Sequence, residues 1–204
     1  MRIVFTGGGT GGHFYPLMAV AEDIKVLCVE DKLLQPQLYY FANNPISPNM
    51  LVERDIIYKY IPSGKMVGFF SSIVAIFDLI IGFIMAFFKL LFIYPDVIFS
   101  KGGFDSLPTC LAGYILRIPI ILHESDSIPG KANLFISRFA FRIAVSFNEA
   151  APYFNSKKVA WTGQPIITKY LPRNDWKKKL PPERANILIC GGSQGSQRLN
   201  DYIL

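Results

Sequence analysis

The segment Thr6–Pro16, TGGGTGGHFYP, restricts the fold more than any other part of the chain. Five of the six residues Gly7–Gly12 are glycine, and glycine at this density weakens a helix or strand because it loses the most backbone entropy on folding. The apolar run Arg2–Phe5 precedes the glycines, and apolar residues at helical spacing follow them. A buried strand, a glycine turn and a helix start predict a place where backbone N–H groups closely approach an anionic group.

Strands alternate with helices along the rest of the first 165 residues. The further predicted strands are Leu38–Ala42, Asp55–Ile61, Asp96–Ser100, Ile118–Glu124, Arg142–Phe147 and Lys158–Gly163. The predicted helices cover residues 17–36, 67–94, 107–116 and 132–139. The strands are apolar throughout rather than at alternate residues, which is typical of a parallel sheet covered on both faces. The sequence therefore predicts an α/β fold.

Three unusual loops each follow the carboxyl end of a predicted strand. They are Gly7–His13, Lys101–Pro108 and His123–Gly130, and in a parallel sheet they share one edge, where ligands bind. An imidazole can accept a proton or lie as a cation beside a phosphate, so His13 is a candidate site residue. The alternative is that His13 only caps or packs its helix. For His123 and Glu124 the alternative is a core histidine beside a solvent-facing carboxylate.

The composition changes after residue 165. Residues 169–184, KYLPRNDWKKKLPPER, are polar, basic and rich in proline, and they predict a linker. A second unit then begins with the strand Ala185–Cys190 and the loop Gly191–Gly195, where Ser193 could donate to an anion or sit in a plain tight turn. The predicted domains are an N-terminal lobe over 1–165, a linker over 166–184 and the start of a second Rossmann-like lobe over 185–204. The second lobe stops early, so we expect the sequence to be incomplete.

Charge and cysteine content restrict the ligands only partly. The net charge of +6 and the pI near 9.2 are compatible with nucleic acid, anionic lipid or phosphorylated substrates. Cys28, Cys110 and Cys190 are scattered without a CxxC pair, which argues against a zinc site or a disulfide framework. We expect each to be a small buried residue.

Gly7, Gly9 and Gly12 match the spacing of the dinucleotide-binding fingerprint, so an NAD-dependent oxidoreductase is one alternative function. That reading requires a carboxylate at the end of the second strand to bind the ribose hydroxyls. Here the strand ends with Asn43 and Asn44, which disfavours the alternative.

Five segments carry a resemblance to one family. In chain order they are GGGTGGHFYPLMAVAEDI from Gly7, SKGGFDSLP from Ser100, LHESDSIPGKAN from Leu122, VAWTGQPI from Val159 and ILICGGSQGSQRLND from Ile187. The chain resembles the MurG-type N-acetylglucosaminyltransferases of glycosyltransferase family 28 along essentially all of its 204 residues. The resemblance implies a GT-B fold, with an N-terminal lobe for a lipid-linked acceptor and a C-terminal lobe for UDP-GlcNAc.

The implied reaction transfers GlcNAc from UDP-GlcNAc to lipid I, undecaprenyl-diphosphoryl-MurNAc-pentapeptide, giving lipid II in peptidoglycan synthesis. It proceeds with inversion, without a cofactor or an essential active-site metal, and without nucleic acid. The implied location is peripheral, on the cytoplasmic face of the bacterial plasma membrane. The alternative in another class is a non-catalytic, membrane-associated remnant or binding module.

The resemblance also implies residue roles. His13 is the implied base or diphosphate-positioning residue. The remaining implied residues are Thr10, Gly11, Gly12, Asp126 and Ser193 for the donor, Gly7, Gly8, Gly9, Gly102, Gly103 and Phe104 for the acceptor diphosphate, and His123 and Glu124 in support. Two positions depart from the family pattern: Asp126 replaces an asparagine and Ile167 replaces an arginine. The asparagine that Asp126 replaces contacts the donor in the family, and Ile167 cannot make the charge-assisted hydrogen bond of the arginine to UDP. The two departures therefore predict weaker binding of the UDP-sugar.

The stretch Val67–Tyr94 is apolar, but Asp78 and Lys89 leave only the uncharged segment 79–88 between them. That is short of the roughly 20 residues of a spanning helix. An acceptor with a polyprenyl tail stays in the bilayer, so this helix is a candidate for an interfacial patch. The predicted patch consists of Phe69, Phe70, Phe83, Phe87, Phe88 and Phe92, flanked by Lys65 and Lys89. The alternative is a buried core helix.

Overall fold

The structure, a computed structural model, describes residues 1–8, 10–64 and 69–167 together with Gln197 and Asp201, and residues 69–74 are described by their backbone alone. The chain divides into two compact units, Met1–Ile167 and Thr168–Leu204. The linker and the start of the second lobe, which were predicted over 166–204, lie almost wholly outside the described residues.

The first unit is built on a parallel sheet. Its strands are β1 Arg2–Thr6, β2 Gln37–Ala42, β3 Ile56–Tyr60, β4 Val97–Ser100, β5 Ile120–Glu124, β6 Arg142–Val145 and β7 Val159–Trp161. The sheet order is β3-β2-β1-β4-β5-β6-β7, and every neighbouring pair is parallel. In the centre, Thr6 of β1 is in register with Phe41 on one side and Ser100 on the other. The predicted α/β class, its parallel sheet and each predicted strand of this unit are confirmed.

Helices cover both faces of the sheet. They are α1 Gly11–Glu30, α2 Pro48–Glu53, α3 Phe69–Ile93, α4 Leu107–Ile115 and α5 Lys131–Ser137, with 3-10 helices at Phe104–Ser106 and Asn148–Tyr153. Helix α1 begins six residues earlier than predicted and contains Pro16. It ends well before Pro36, because Lys32 adopts a φ of 55° and leaves the helical conformation. The short helix α2 was not predicted from the sequence.

Alternate residues of the strands fill two separate cores. Val4 of β1 belongs to a cluster that includes Leu90 of α3, Cys110 of α4 and Ile136 of α5. Phe5 and its strand neighbours belong to a second cluster that is closed by α1 and α2. Consecutive strand residues point to opposite faces, so both faces are buried and the strands must be apolar throughout.

The cysteines behave as predicted where the structure describes them. Cys28 and Cys110 are buried and free. Burial raises the pKa of the Cys110 thiol to about 12, and nearby Ser100 and Ser106 offset this only in part. The thiol is therefore protonated at neutral pH and packs as a small apolar side chain.

Helix α3 has one buried face and one exposed face. Ala75, Ala86 and Leu90 are buried, and at Gly82 a Cβ atom would lie 2.1 Å from the carbonyl oxygen of Pro62. Within the described residues, Ala75–Ile93 is long and apolar enough to cross a membrane by length and composition alone, with a hydropathy of 2.4. Asp78 and Lys89 therefore do not exclude a span by composition, contrary to the expectation from the sequence.

The aromatic residues of α3 divide between the two faces. Phe83 and Phe87 are partly buried and pack against the core, contrary to the predicted patch. Phe88 and Phe92 are 53% and 84% exposed, as the patch requires. The described helix is thus both a core helix and the carrier of an apolar surface.

Candidate active site

The three glycine-containing loops lie at one edge of the sheet, as predicted. They follow β1, β4 and β5, whose carboxyl ends are adjacent in the sheet. Lys101 N donates to Thr6 O across 2.9 Å, which joins the end of β1 to the start of the loop after β4. A cavity of about 470 Å³ opens beside them, lined by Thr10, Gly12, His13, Ser125, Asp126, Phe147 and Gln164. The structure therefore brings the predicted residues Thr10, Gly12, His13 and Asp126 together.

The orientation of His13 is determined by a backbone carbonyl. His13 Nδ1 lies 3.0 Å from Gly8 O and 3.5 Å from Thr10 Oγ1. Because the carbonyl oxygen can only accept, Nδ1 carries the hydrogen in the neutral ring and Nε2 carries the free lone pair. The ring also packs against Gly103, where a Cβ atom would come within 3.2 Å of His13 Cε1. His13 can thus accept a proton at the cavity.

The N-terminus of α1 faces the same cavity. Thr10 is the N-cap residue in an extended conformation, and its side chain makes no capping hydrogen bond. The N–H groups of the first helical residues, Gly11 and Gly12, have no partner within the helix. Those N–H groups and the helix dipole favour an anionic ligand.

The loop after β4 uses its N–H groups within the protein. Gly102 N donates to Ser100 Oγ and Gly103 N donates to Asn133 Oδ1, each across 3.0 Å. Both glycines have φ values near +79°, which disfavours any other residue. The diphosphate-binding role of Gly102, Gly103 and the 40% exposed Phe104 stays a prediction, and in this arrangement the two glycine N–H groups are already engaged.

His123 and Glu124 are both buried, at 1% and 2% exposure. Glu124 accepts from Asp126 N and Asn133 Nδ2, so the alternative of a solvent-facing carboxylate is wrong. Burial and the nearby Lys101 ammonium lower the pKa of His123 to about 4, although a hydrogen bond to Gly163 O opposes the shift. His123 is therefore neutral at physiological pH and is satisfied inside the core.

The remaining predicted residues have mixed outcomes. Gly7 has a φ of 135°, and its carbonyl accepts from the Tyr40 hydroxyl across 2.8 Å. Gly8 contributes the carbonyl that orients His13. Gly9 and Ser193 lie outside the described residues. Ile167 is 5% exposed and packs in the cluster closed by α1 and α2, so an apolar contact stands where the family pattern has a charge.

Sequence reasoning missed several polar residues around the cavity. They are Asn133, Ser146 and Gln164, together with the exposed ring of Phe147. Lys101 was part of the predicted loop after β4, but the sequence analysis gave it no role of its own. Lys101 had a usable signal, since a lysine between a buried strand and two glycines is unusual for a solvated residue. Asn133 and Gln164 lie in two of the five segments that carry the family resemblance, but the sequence does not show which groups their side chains contact. Ser146 and Phe147 directly follow β6, in a segment without a distinguishing pattern.

Comparison with known proteins places the chain in a family. Residues 3–145 match the description "Glycosyltransferase family 28 N-terminal domain". The chain belongs to glycosyltransferase family 28. The recognition made from its five motifs is thereby confirmed.

Two similar proteins are named UDP-N-acetylglucosamine–N-acetylmuramyl-(pentapeptide) pyrophosphoryl-undecaprenol N-acetylglucosamine transferases. The N-acetylglucosamine transferase 2 of Bacillus anthracis is 37% identical over 209 residues, covering 99% of this chain and 57% of that protein. The corresponding transferase of Treponema denticola is 36% identical over 219 residues, covering 98% and 54%. The chain thus spans little more than half the length of these relatives.

Solved structures support the fold. MurG of Acinetobacter baumannii matches with a TM-score of 0.64 and 21% identity, covering 86% of this chain and 47% of that one. The UDP-GlcNAc 2-epimerase of Neisseria meningitidis, solved with UDP-GlcNAc bound, matches with a TM-score of 0.58 and 14% identity, covering 82% and 48%. The family 28 chain therefore has the Rossmann-like lobe that these enzymes share.

Proposed function

We propose that the chain carries the acceptor lobe of an N-acetylglucosaminyltransferase, which transfers GlcNAc from UDP-GlcNAc to lipid I and so forms lipid II. Family membership and the names of its relatives support this reaction. The observation that carries the proposal is His13, which lines the cavity and whose Nδ1 is held by Gly8 O. Among the described residues Nε2 has no hydrogen-bond partner, so its lone pair is available to accept a proton.

In the proposed mechanism His13 accepts the proton of the acceptor hydroxyl, and UDP is the leaving group. The sugar hydroxyl of the acceptor attacks the anomeric carbon of the donor and gives its proton to His13 Nε2. The bond from the anomeric carbon to the UDP oxygen breaks, and UDP leaves with the electron pair, which inverts the configuration. The N–H groups of Gly11 and Gly12 stabilise phosphate charge near the reacting atoms. Thr10 and Asp126 line the same cavity and are proposed to contact the donor sugar.

The test compares His13→Ala and His13→Gln with the unaltered full-length protein in a transferase assay. We expect His13→Ala to lower kcat/KM about 100-fold or more, in the range of general base catalysis. Glutamine can donate and accept hydrogen bonds but cannot take the proton. A residual activity of His13→Gln near that of the unaltered protein would assign positioning rather than proton transfer. A kcat/KM of His13→Ala within about twofold of the unaltered protein would contradict both roles.

A binding module without catalysis is the second candidate, and one observation favours it. Ile167 is buried in an apolar cluster where the family pattern has an arginine, so this position offers UDP no charge-assisted hydrogen bond. Under this alternative the full-length protein binds lipid I but forms no lipid II at any pH. Isothermal titration with UDP-GlcNAc beside the transferase assay separates the two functions.

We further propose that the exposed face of α3 attaches the protein to the cytoplasmic face of the plasma membrane. Its exposed apolar residues are Ile76, Phe77, Ile80, Ile81, Ile84, Phe88, Leu91 and Phe92. An exposed apolar face formed by eight side chains of one helix is typical of an interaction surface. The net charge of +6 favours anionic headgroups, and a polyprenyl-linked acceptor is presented at the bilayer.

A further inference from the structure

A lysine is buried behind the wall of the cavity. The side chain of Lys101 is only 1% exposed, although the residue directly follows the end of β4. Its Nζ donates to Ser125 Oγ across 2.6 Å and lies 2.8 Å from His123 Nδ1. Among the described residues, its charge is influenced by Glu124 and Asp126, which favour the ammonium, and by burial, which opposes it. A buried cation is costly, so its position requires a reason beyond packing.

The first bond determines which way the Ser125 hydroxyl points. An ammonium group can only donate, so Ser125 Oγ accepts from Lys101 and its own hydrogen is directed elsewhere. Ser125 is one of the residues that line the cavity. The lysine therefore leaves the hydrogen of the Ser125 hydroxyl available to donate to a ligand in the cavity.

The contact between Lys101 and His123 determines the directions of several further hydrogen bonds, which lead through Ser146 to Gln164. His123 Nδ1 accepts from Lys101, so the hydrogen of the neutral ring is on Nε2. Nε2 lies 3.1 Å from Gly163 O and 3.5 Å from Ser146 Oγ, so the Ser146 hydroxyl is free to donate to Gln164 Oε1 across 2.7 Å. Gln164 also lines the cavity, and its amide nitrogen has no partner among the described residues, so it can donate to a ligand.

We infer that Lys101 is a positioning residue that makes Ser125 and Gln164 hydrogen-bond donors for phosphoryl oxygens bound in this cavity. The inference rests on the proposed function, because it identifies how the cavity of the transferase holds a diphosphate. The diphosphate belongs either to the polyprenyl-linked acceptor or to the UDP of the donor. In both cases the buried charge adds attraction for the anion through a desolvated wall.

The pH dependence of diphosphate binding distinguishes this role of Lys101 from a purely structural one, which would not change the pH profile. Burial lowers the pKa of Lys101 to about 8, against the opposing effect of Glu124 and Asp126. The ammonium is present below that pH and is lost as the pH rises through it. Affinity for a diphosphate should therefore fall between pH 7 and pH 9.5 in the unaltered chain. In Lys101→Met, which keeps the length of the side chain without its charge, this fall should be absent.

The experiment titrates geranyl diphosphate and, separately, UDP into the 204-residue chain by calorimetry across that pH range. We expect Lys101→Met to weaken binding of at least one probe about tenfold at pH 7, which corresponds to losing hydrogen bonds that a charge supports. The probe whose affinity changes identifies the source of the phosphate. Lys158→Met is the matched control, because Lys158 Nζ donates to Arg138 O away from the cavity.

A double-mutant cycle of Lys101→Met and Ser125→Ala distinguishes loss of the specific hydrogen bond from loss of folding. Ser125→Ala removes one hydroxyl at a partly exposed position and should weaken binding in the unaltered chain but not in Lys101→Met. The tautomer of His123, followed by ¹⁵N NMR, should be Nε2–H in the unaltered chain and mixed in Lys101→Met. Equal affinities and pH profiles for Lys101→Met and the unaltered chain would overturn the inference, while the His13 assay still decides the proposed function. Absence of binding of both probes to the unaltered chain would also overturn it.

Discussion

Gly102 lies where the loop after β4 passes directly against the side chain of Asn133. A Cβ atom at this position would come within 1.7 Å of Asn133 Oδ1, and the φ of +79° is unfavourable for any residue with a side chain. Asn133 in turn donates to Glu124, so a displaced Asn133 leaves a buried carboxylate without that donor. The glycine is therefore required by a close approach, independently of any ligand that the loop binds.

The substitution Gly102→Ala should accordingly lower the free energy of unfolding by roughly 2–4 kcal/mol, measured by urea denaturation. Gly130→Ala is the matched control, because Gly130 has a φ of −68° and nothing within 4 Å of its Cβ position. We expect that change to cost less than about 1 kcal/mol, since the alanine occupies an N-cap position without strain. Equal losses in the two variants would show that the contact with Asn133 is not what requires glycine.

Residue types were easier to predict from the sequence than residue partners. The glycine turns and His13 stand out because their composition is unusual for a strand or helix. The pairing of Lys101 with His123, and of Asn133 with Gly103, joins loops that are distant in the chain. Hydrophobic periodicity carries no information about such polar contacts. The pattern of hydrogen-bond donors and acceptors around the cavity could therefore be determined only from the structure.

At the scale of single elements, α3 carries two surfaces that its sequence does not separate. Both faces are apolar, so the hydrophobic pattern gives no direction to the helix. The structure assigns Leu90 to the core at 0% exposure, and it exposes Phe88 and Phe92. The strands were predictable for the opposite reason, because both of their faces are buried and their apolar runs are short and bounded by turns.

The two surfaces predict separable effects of substitution. Replacing Phe88 and Phe92 by serine should reduce co-sedimentation with anionic vesicles several-fold and leave the melting temperature nearly unchanged, because both side chains are exposed. Leu90→Ala should instead cost about 2–4 kcal/mol in unfolding free energy. Replacing Leu33 and Leu34 by serine is the control, since both are exposed just after α1 on the other side of the sheet. Unchanged vesicle binding by the phenylalanine variant would exclude α3 as the membrane surface.

At the scale of the molecule, the parallel sheet explains why residues more than a hundred positions apart meet at one cavity. Each strand of a parallel sheet delivers its following loop to the same edge, so Thr10, Ser125 and Gln164 become neighbours. The alternation of strands and helices predicted that edge. It did not predict the order of strands within the sheet, because the pattern of one strand is the same wherever it pairs.

Contacts after the last strand suggest a boundary for the first lobe, which we propose to lie after Ile167. Beyond β7, Gly163 O accepts from His123, Gln164 Oε1 accepts from Ser146, and Ile167 is buried at 5% exposure. These contacts hold Gly163, Gln164 and Ile167 in the first compact unit, Met1–Ile167, while the predicted lobe boundary at residue 165 stays a prediction. A chain shortened after Ile167 keeps all of these contacts and every described member of the two hydrophobic clusters.

We therefore predict that residues 1–167 fold on their own, with an unfolding free energy within about 1 kcal/mol of that of the 204-residue chain. A chain shortened after Trp161 should lose about 3 kcal/mol or more, because it forfeits the burial of Ile167 and the hydrogen bonds of Gly163 and Gln164. Urea denaturation followed by circular dichroism measures both. If removing Thr168–Leu204 alone were as costly as the longer deletion, those residues would have to stabilise the first lobe, and the proposed boundary between the lobes would be wrong.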